Sequence, residues 1–380
     1  MELKRREPAT SITITEGTTL GNIKQSNLDS QKVRPSIPPP PMKSKSMEEE
    51  TQGLYFARTK KENLEFISSG NFLLDCVLGG GWPLGRMSNV VGDSSTGKSL
   101  LAIEACANFQ QKFPKGKIIY LEAEAAFDED YAEALGMPIN SIEFAGNKLP
   151  DFTVEAWFEH LQVTLETMVK TQDPCLYIVD SLDALSDRAE KDREIDKGTF
   201  GANKPKIIGQ LFRRTVKDME RSRIHLMIIS QIRDNIGVSF GNTKTRTGGR
   251  AMDFYASQIL WLAQLKRLDR TIRKQKRVYG IQVKAQCKKN KIGLPFREAE
   301  FPILFGYGMD EAEALLTWLE SIDFDISIWN EYKDGKLTLS QSIKMLETSQ
   351  RISVMKDIKT AVAKNWEEIE TRFLPTIRKY

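Results

Sequence analysis

Gly92-Asp93-Ser94-Ser95-Thr96-Gly97-Lys98-Ser99 fits the pattern G-x-x-x-x-G-K-[ST], and its setting gives the pattern meaning. Upstream, Met87 to Val91 is a short, largely apolar run that reads as a buried strand. Downstream, Lys98 to Phe113 carries Leu100, Leu101, Ile103 and Ala105 and reads as a helix. A glycine-bearing turn between a strand and a helix N-terminus aims backbone N–H groups at phosphate oxygens. Lys98 then reaches the β- and γ-phosphates and Ser99 ligates Mg²⁺. All eight residues are expected to hold a nucleotide.

Outward from this turn, strands and helices alternate. Ile118 to Leu121 and Cys175 to Val179 are apolar strands, separated by a helical pattern in Val154, Trp157, Phe158, Leu161, Leu165 and Met168. Ile207, Ile208, Leu211, Phe212 and Val216 mark another amphipathic helix before the strand Ile224 to Ile229. Strand, helix, strand in succession implies parallel pairing, hence an α/β fold whose mainly parallel central sheet is covered on both faces. Gln258 to Leu262, Val278 to Gln286 and Glu298 to Phe305 follow without helices and are expected to form an antiparallel extension at one edge. From Met309 the pattern is helical. The expected organisation is a tail over 1–60, a core over 61–308 and a small α-rich C-terminal domain over 309–380. The tail is rich in Ser, Thr, Gln, Lys and Glu, with a polyproline stretch at Pro35 and Pro38 to Pro41, and has too little apolar surface to offset its ordering entropy.

Composition narrows the chemistry. The 380 residues carry 55 Lys+Arg against 51 Asp+Glu, a net charge of only +4, and 40% are hydrophobic. No apolar stretch approaches the roughly 20 residues of a membrane span, and Met1 to Arg6 lead into no signal-peptide segment, so a soluble, cytoplasmic protein is expected. Cys76, Cys106, Cys175 and Cys287 form no Cys-x-x-Cys pair, and His160 and His225 stand apart from them, which argues against a disulfide framework, a zinc site or a histidine triad. Catalysis is left to carboxylates, lysines and a bound ligand.

Two strand ends offer carboxylates. Leu176 to Ser181 delivers Asp180 beside the phosphate loop, placed to hold Mg²⁺ through water. The strand from Ile118 ends in Glu122-Ala123-Glu124, at the rim where such sheets bind ligands. Glu124 is a candidate to polarise an attacking water, yet Glu122 shares its side of the strand, so alternation does not choose between them. A third strand end leads into Ser230 to Asn242 and on to Thr247-Gly248-Gly249-Arg250, glycine-rich and polar. There Gln231 can approach a γ-phosphate, while Arg233, Lys244, Arg246 and Arg250 suit a phosphate backbone. Leu265 to Lys291 holds eleven Lys or Arg against one acid, Asp269, a footprint of polyanion binding that the overall charge conceals.

Taken in order, Ile67 to Gly70 through Gly85-Arg86, the phosphate loop, Glu122 to Glu124, Val179 to Ser181, Gln231 to Ser257, Lys289 to Ile292 and Pro295-Phe296 resemble the bacterial RecA recombinases over about Ile67 to Met309. The resemblance implies an ATP- and Mg²⁺-dependent, DNA-stimulated ATPase that assembles into a helical filament on single-stranded DNA and pairs it with homologous duplex DNA in recombination and repair. It implies that Glu124 activates water, that Gln231 couples the γ-phosphate to a DNA loop, and that Asp128 and Tyr131 hold the adenine. It implies that Lys289 and Lys291 reach the ATP of a neighbouring copy, that Phe240 is an interface aromatic, and that Lys98 serves catalysis as well as binding. Arg233, Thr247, Gly248, Gly249 and Arg250 match the second DNA loop, and the first is expected around Glu194 to Lys206 with Lys204 and Lys206 as contacts. Lys284 matches one basic residue of a secondary DNA site. Departures are Ser230, Asn235 and Pro205, and Ala263, Gln264 and Gln286 where that secondary site has basic residues. A polymerising N-terminal helix is not recognisable, Tyr55-Phe56 being a candidate anchor. Two other readings stay open: a nucleotide-binding mediator of recombination without exchange activity, and a hexameric helicase motor.

Overall fold

The computed structural model describes residues 64–192, 203–234, 244–246 and 249–375. The elements run β1 (Phe66–Ile67), α1 (Phe72–Leu78), β2 (Trp82–Pro83), β3 (Arg86–Gly92), α2 (Lys98–Lys112), β4 (Lys117–Glu122), α3 (Glu129–Ala134), β5 (Ile142–Phe144), α4 (Val154–Thr171) and β6 (Cys175–Asp180). They continue with α5 (Arg188–Lys191), α6 (Asn203–Arg221), β7 (Ile224–Asp234), β8 (Lys244–Arg246), α7 (Gly249–Tyr255), β9 (Gln258–Ile272), β10 (Gln275–Asn290), β11 (Arg297–Leu304) and β12 (Gly308–Met309). Last come α8 (Glu311–Ser321), a 3-10 turn (Ile326–Tyr332), α9 (Leu339–Met345) and α10 (Thr348–Phe373). The tail over 1–60, Tyr55-Phe56, Asn235, Phe240, Thr247, Gly248 and most of the expected first DNA loop lie outside the described residues.

The expected α/β architecture is present. One sheet has the order β12-β11-β10-β9-β3-β7-β6-β4-β5, with β8 paired to β7. From β9 through β3, β7, β6, β4 and β5 every pairing is parallel, while β10, β11 and β12 add antiparallel. Gln258 to Leu262 thus joins the parallel body beside β3, and the antiparallel extension begins one strand later. Helix α7 supplies the crossover that makes this parallel pairing sterically natural.

Alternation along each inner strand divides the core in two. Ile118 and Tyr120 of β4, Leu176 and Ile178 of β6, and Met227 and Ile229 of β7 enter one apolar cluster; Ile119 and Leu121, Tyr177 and Val179, and Leu226 and Ile228 enter the other. Successive strand side chains face opposite ways, so apolar residues at every position demand cover on both faces. On one face lie α2 (Leu101, Ala105, Phe109), α8 (Leu315, Leu319) and α10 (Val354, Ile358, Val362, Trp366). On the other lie α4 (Trp157, Leu161, Leu165) and α6 (Ile208, Leu211, Phe212). All four cysteines are free and buried in these layers. Arg297 on β11 holds Glu370 of α10 by a two-point ion pair at 2.7 and 2.6 Å, fastening the last helix to the sheet. Among the described residues no helix is long and apolar enough to cross a membrane.

One buried acid gives this face a pH response. Glu104 of α2 accepts the Met309 N–H at 2.8 Å, and burial, reinforced by Glu311, raises its pKa from 4.5 to about 8. The folded chain therefore keeps a proton that the unfolded chain gives up near pH 4.5, so this contribution to stability is complete below that pH and is lost as pH rises through about 8. Glu104→Gln is expected to remove that loss and to stabilise the fold at pH 8 by on the order of 2–4 kcal/mol, at ~1.4 kcal/mol per pKa unit. Thermal melting of both proteins from pH 5 to 9 checks this; parallel curves contradict it.

Candidate nucleotide site

The strand β3 stops at Gly92 and the chain re-enters helix at Lys98. Gly97 is the N-cap at φ +91°, without a side-chain cap, so the first N–H groups of α2 are left for an outside acceptor. A Cβ at Gly97 would also collide with Ile303 of β11. The Thr96 hydroxyl and the Lys98 ammonium both donate to the Asp93 carbonyl, at 2.9 and 2.7 Å, folding the turn into a cup with Lys98 across it. Burial lowers the Lys98 pKa, and the carboxylates of Asp180, Glu124, Asp183 and Asp93 pull it back up.

Those carboxylates arrive because β4 and β6 end together two residues below the level of Gly92 on β3, Val179 pairing with Ile228 and Ile228 with Asn89, and the segments after them climb to that level. Gly92 is in register with Gln231, and Glu122 with Asp180. Asp180 is 7% exposed, accepts the Tyr120 hydroxyl at 2.8 Å, and has its pKa raised by burial against the lowering effect of hydrogen bonds from Ser99 and Tyr120. The peptide bond Asp180-Ser181 is cis. Beside it, Glu124 accepts the Ser181 hydroxyl and, through the same Oε1, the Gln231 side-chain amide at 2.7 Å. The Gln231 backbone N–H donates to Asp183 at 2.7 Å.

The two glutamates at the end of β4 separate clearly. Glu122 turns back on its own loop, its Oε1 accepting the N–H groups of Glu124 and Ala126 at 2.9 and 3.2 Å. It shapes the loop that presents Glu124. Asp183, Ser181 and Tyr120 were not singled out in the sequence; their short-range signal is only that they flank Asp180 on its own strand end or the next strand.

A divalent cation fits the donor set. No group of three or more His, Cys, Asp or Glu able to hold a metal occurs among the described residues. One buried carboxylate and one hydroxyl, Asp180 and Ser99, suit Mg²⁺, which keeps waters and phosphate oxygens in most of its coordination positions.

At the side of the cup, Asp128 caps α3 by accepting the Tyr131 N–H at 2.9 Å, and the half-exposed Tyr131 ring packs against the core. Burial raises the Tyr131 pKa, with Glu104 and Asp128 adding to it.

The remaining candidates lie apart. Lys289 and Lys291 close β10 where Asn290 pairs with Gln258, and Gln258 in turn pairs with Ser88 near the start of β3. That is the opposite end of the sheet from Gly92, about 13 Å along the strand. Lys289 donates to the Asp253 and Phe254 carbonyls, the latter at 3.0 Å, and Lys291 to Phe254 at 3.3 Å, at the C-terminal end of α7. Between them Asn290, unremarked in the sequence, spends its whole amide on backbone: donating to Val77 and Leu78 at 3.3 and 3.0 Å, and accepting from Ile292 and Gly293 at 2.9 Å each. It fixes the strand end from which both lysines project.

Of the nucleic-acid candidates, Arg233 and Arg246 lie on the β7–β8 ladder, and Gly249 and Arg250 open α7. Lys206 is exposed on α6. Lys204 turns inward to the carbonyls of Asp183 and Leu185, bracing the turn after β6. Lys284 is matched by Glu298 at 2.6 Å, which also accepts from Gln286 at 3.3 Å.

The model of the RecA N-terminal domain matches residues 50–310. The chain is 30% identical over 307 residues to Protein RecA of Prochlorococcus marinus (strain AS9601), covering 80% of each chain. It is 34% identical over 260 residues to Protein RecA of Trichodesmium erythraeum (strain IMS101), 68% of each, and 34% identical over 276 residues to that of Synechococcus sp. (strain CC9605), 72% of this chain and 70% of the relative. With the phosphate-loop turn between β3 and α2 and these matches together, the chain belongs to the bacterial RecA family.

Proposed function

We propose that the chain is an ATP-dependent recombinase that assembles on single-stranded DNA and exchanges it with homologous duplex DNA. The carrying observation is the hydrogen bond from Gln231 to Glu124, which joins the candidate hydrolytic carboxylate to the closing residues of β7, the strand that leads toward Arg250. ATP sits with its β- and γ-phosphates in the cup of Gly92 to Ser99, and Asp128 and Tyr131 bound its base. Glu124 takes a proton from water as the water oxygen attacks the γ-phosphorus and the bond to the β-phosphate oxygen breaks, giving ADP and phosphate. Ser99 and Asp180 would hold Mg²⁺, which would neutralise phosphate charge.

Gln231 is the relay. With a γ-phosphate oxygen as its alternative partner, its amide exchanges one acceptor for the other, and the end of β7 moves with it. Lys289 and Lys291 serve the site of a neighbouring copy, because in their own chain they occupy the far end of the sheet from the phosphate cup. Positive charge at the γ-phosphate then arrives only in an assembly, which ties turnover to the filament. A second reading, a mediator without exchange activity, is favoured by the pairing of Lys284 with Glu298 and by Ala263, Gln264 and Gln286 at the secondary positions. A strand-exchange assay separates the two.

ATP turnover is expected to rise with single-stranded DNA and to be abolished in Lys98→Ala; turnover indifferent to DNA, or undiminished in that variant, refutes the reading. The two glutamates make a sharper comparison. Glu124→Gln is expected to lower turnover by about 10²-fold or more with nucleotide binding kept. Glu122→Gln retains an oxygen for the two loop N–H groups and is expected to cost less than about tenfold. Steady-state kinetics beside nucleotide-binding isotherms checks this, and equal losses would contradict the assignment.

A further inference from the structure

Beyond the body of the sheet, β9 and β10 continue as a two-stranded ribbon. The pairing of β9 with β3 ends at Leu262, and that of β10 with β11 ends at Gly280, which lies opposite Leu268. From Leu268 and Gly280 outward each strand has the other as its partner, to Ile272 opposite Gln275, an overhang of about 13 Å before the turn. Apart from Leu268, every residue from 263 to 279 is exposed. A Cβ at Gly280 would strike the Ile303 carbonyl, so the ribbon leaves the sheet at a glycine that permits close passage of β11.

Three features of this ribbon run against its own stability. Its two-residue turn is Arg273-Lys274, at φ +48° and +65°, where asparagine and glycine are the residues that fit easily. Arg270 lies directly opposite Arg277, a like-charged cross-strand pair. Seven Lys or Arg stand between Leu265 and Tyr279 against one acid, Asp269, and that acid is on the other face, paired with Lys276 at 3.1 Å. One face and the tip are thus cationic with no carboxylate of the ribbon beside them. Such a surface is stabilised by an anionic partner from outside.

We propose that this ribbon is a duplex-DNA probe that enters the major groove, with Arg270, Arg273, Lys274 and Arg277 on the phosphates and groove walls. A two-stranded ribbon with strands ~4.8 Å apart fits a groove about 12 Å wide. A single strand is the poorer match, since such strands are held by stacking on aromatic rings. The ribbon has one such ring, Tyr279, and the Arg270 guanidinium covers it at 4.8 Å. Position agrees with the choice. Strand β9 runs parallel to β3, so the ribbon rises from the edge that carries Gly92 and Gln231. Strands β7 and β9 flank β3, which sets the ribbon about 10 Å from β7 at that edge. A duplex on the ribbon would lie beside a strand held near Gln231. The proposal rests on the recombinase reading for its purpose, but duplex binding is measured without nucleotide, so the two fail separately.

The test compares three full-length proteins for anisotropy of a fluorescein-labelled mixed-sequence duplex and of the labelled single strand, over a salt series, together with DNA-stimulated ATP turnover. The first is the natural chain. The second combines Arg270→Thr, Arg273→Asn, Lys274→Gly and Arg277→Thr, with a preferred turn and strand-forming residues, so the ribbon still folds. The third, Arg270→Lys with Arg277→Lys, keeps the charge. The quadruple variant is expected to lose duplex affinity by about tenfold or more, with a salt slope shallower by roughly three, while single-strand affinity and turnover stay within about twofold. The lysine variant is expected to retain most duplex affinity. Undiminished duplex binding in the quadruple variant, equal loss on both forms of DNA, or no duplex binding by the natural chain overturns the proposal.

Discussion

The candidate site hangs on the carboxylate of Glu124, which is bonded at once to Ser181 just past β6 and to Gln231 in β7. A single oxygen can serve both only if β4, β6 and β7 keep their register: Glu122 pairs with Asp180 and Val179 with Ile228, so Glu124 and Ser181, just past their strands, come up beside Gln231. That register is in turn a product of burial. Each inner strand is apolar on both faces, and sliding one by a residue would exchange its contributions to the two cores. Packing thus sets which residues meet in a polar hydrogen bond.

The same edge concentrates negative charge. Asp93, Glu124, Asp180 and Asp183 all act on Lys98, and the burial that raises the Asp180 pKa lowers that of Lys98. Phosphate binding there needs cations beyond Lys98, which Mg²⁺ at Ser99 and Asp180 would supply. The lysines at 289 and 291 stand at the other end of the sheet, docked on the carbonyls of α7 by way of the strand end that Asn290 pins. These lysines therefore touch the C-terminal end of α7 in their own chain, at the opposite end of the sheet from their own phosphate-loop turn. Under the proposed function one chain would carry the two halves of a site on opposite ends, an arrangement that would close only head to tail.

Much of this was readable in the residues alone. The phosphate turn, the alternating strands and helices and the two-faced sheet follow from apolar periodicity and from the constraint that a G-x-x-x-x-G-K-S turn imposes. Other features depend on contacts between distant segments, which periodicity does not encode. Glu122 and Glu124 point the same way along the strand, and only the loop that folds back onto Glu122 tells them apart. Strand β9 looked like the first antiparallel member because no long helix precedes it; α7, at seven residues too short to show a helical period, makes the crossover. Strands β9 and β10 were read as far shorter, since their outer halves are charged on both faces and lack the pattern by which a half-buried strand is recognised. Lys284 is a candidate through the family resemblance and Lys204 through its place beside Pro205; sequence does not show that each also has a partner within the chain, a carboxylate for Lys284 and backbone carbonyls for Lys204.

The central claim is that nucleotide held between identical copies, with Lys289 and Lys291 reaching the next copy's phosphates, organises the chain on DNA. Electron microscopy of the protein with single-stranded DNA and a slowly hydrolysed ATP analogue tests it most directly. The account predicts a helical filament with the nucleotide at each seam, bounded by the Gly92 to Ser99 loop of one copy and Lys289 and Lys291 of the next. Protomers that bind the analogue yet never line up, or a filament whose nucleotide is enclosed by one copy alone, would contradict it.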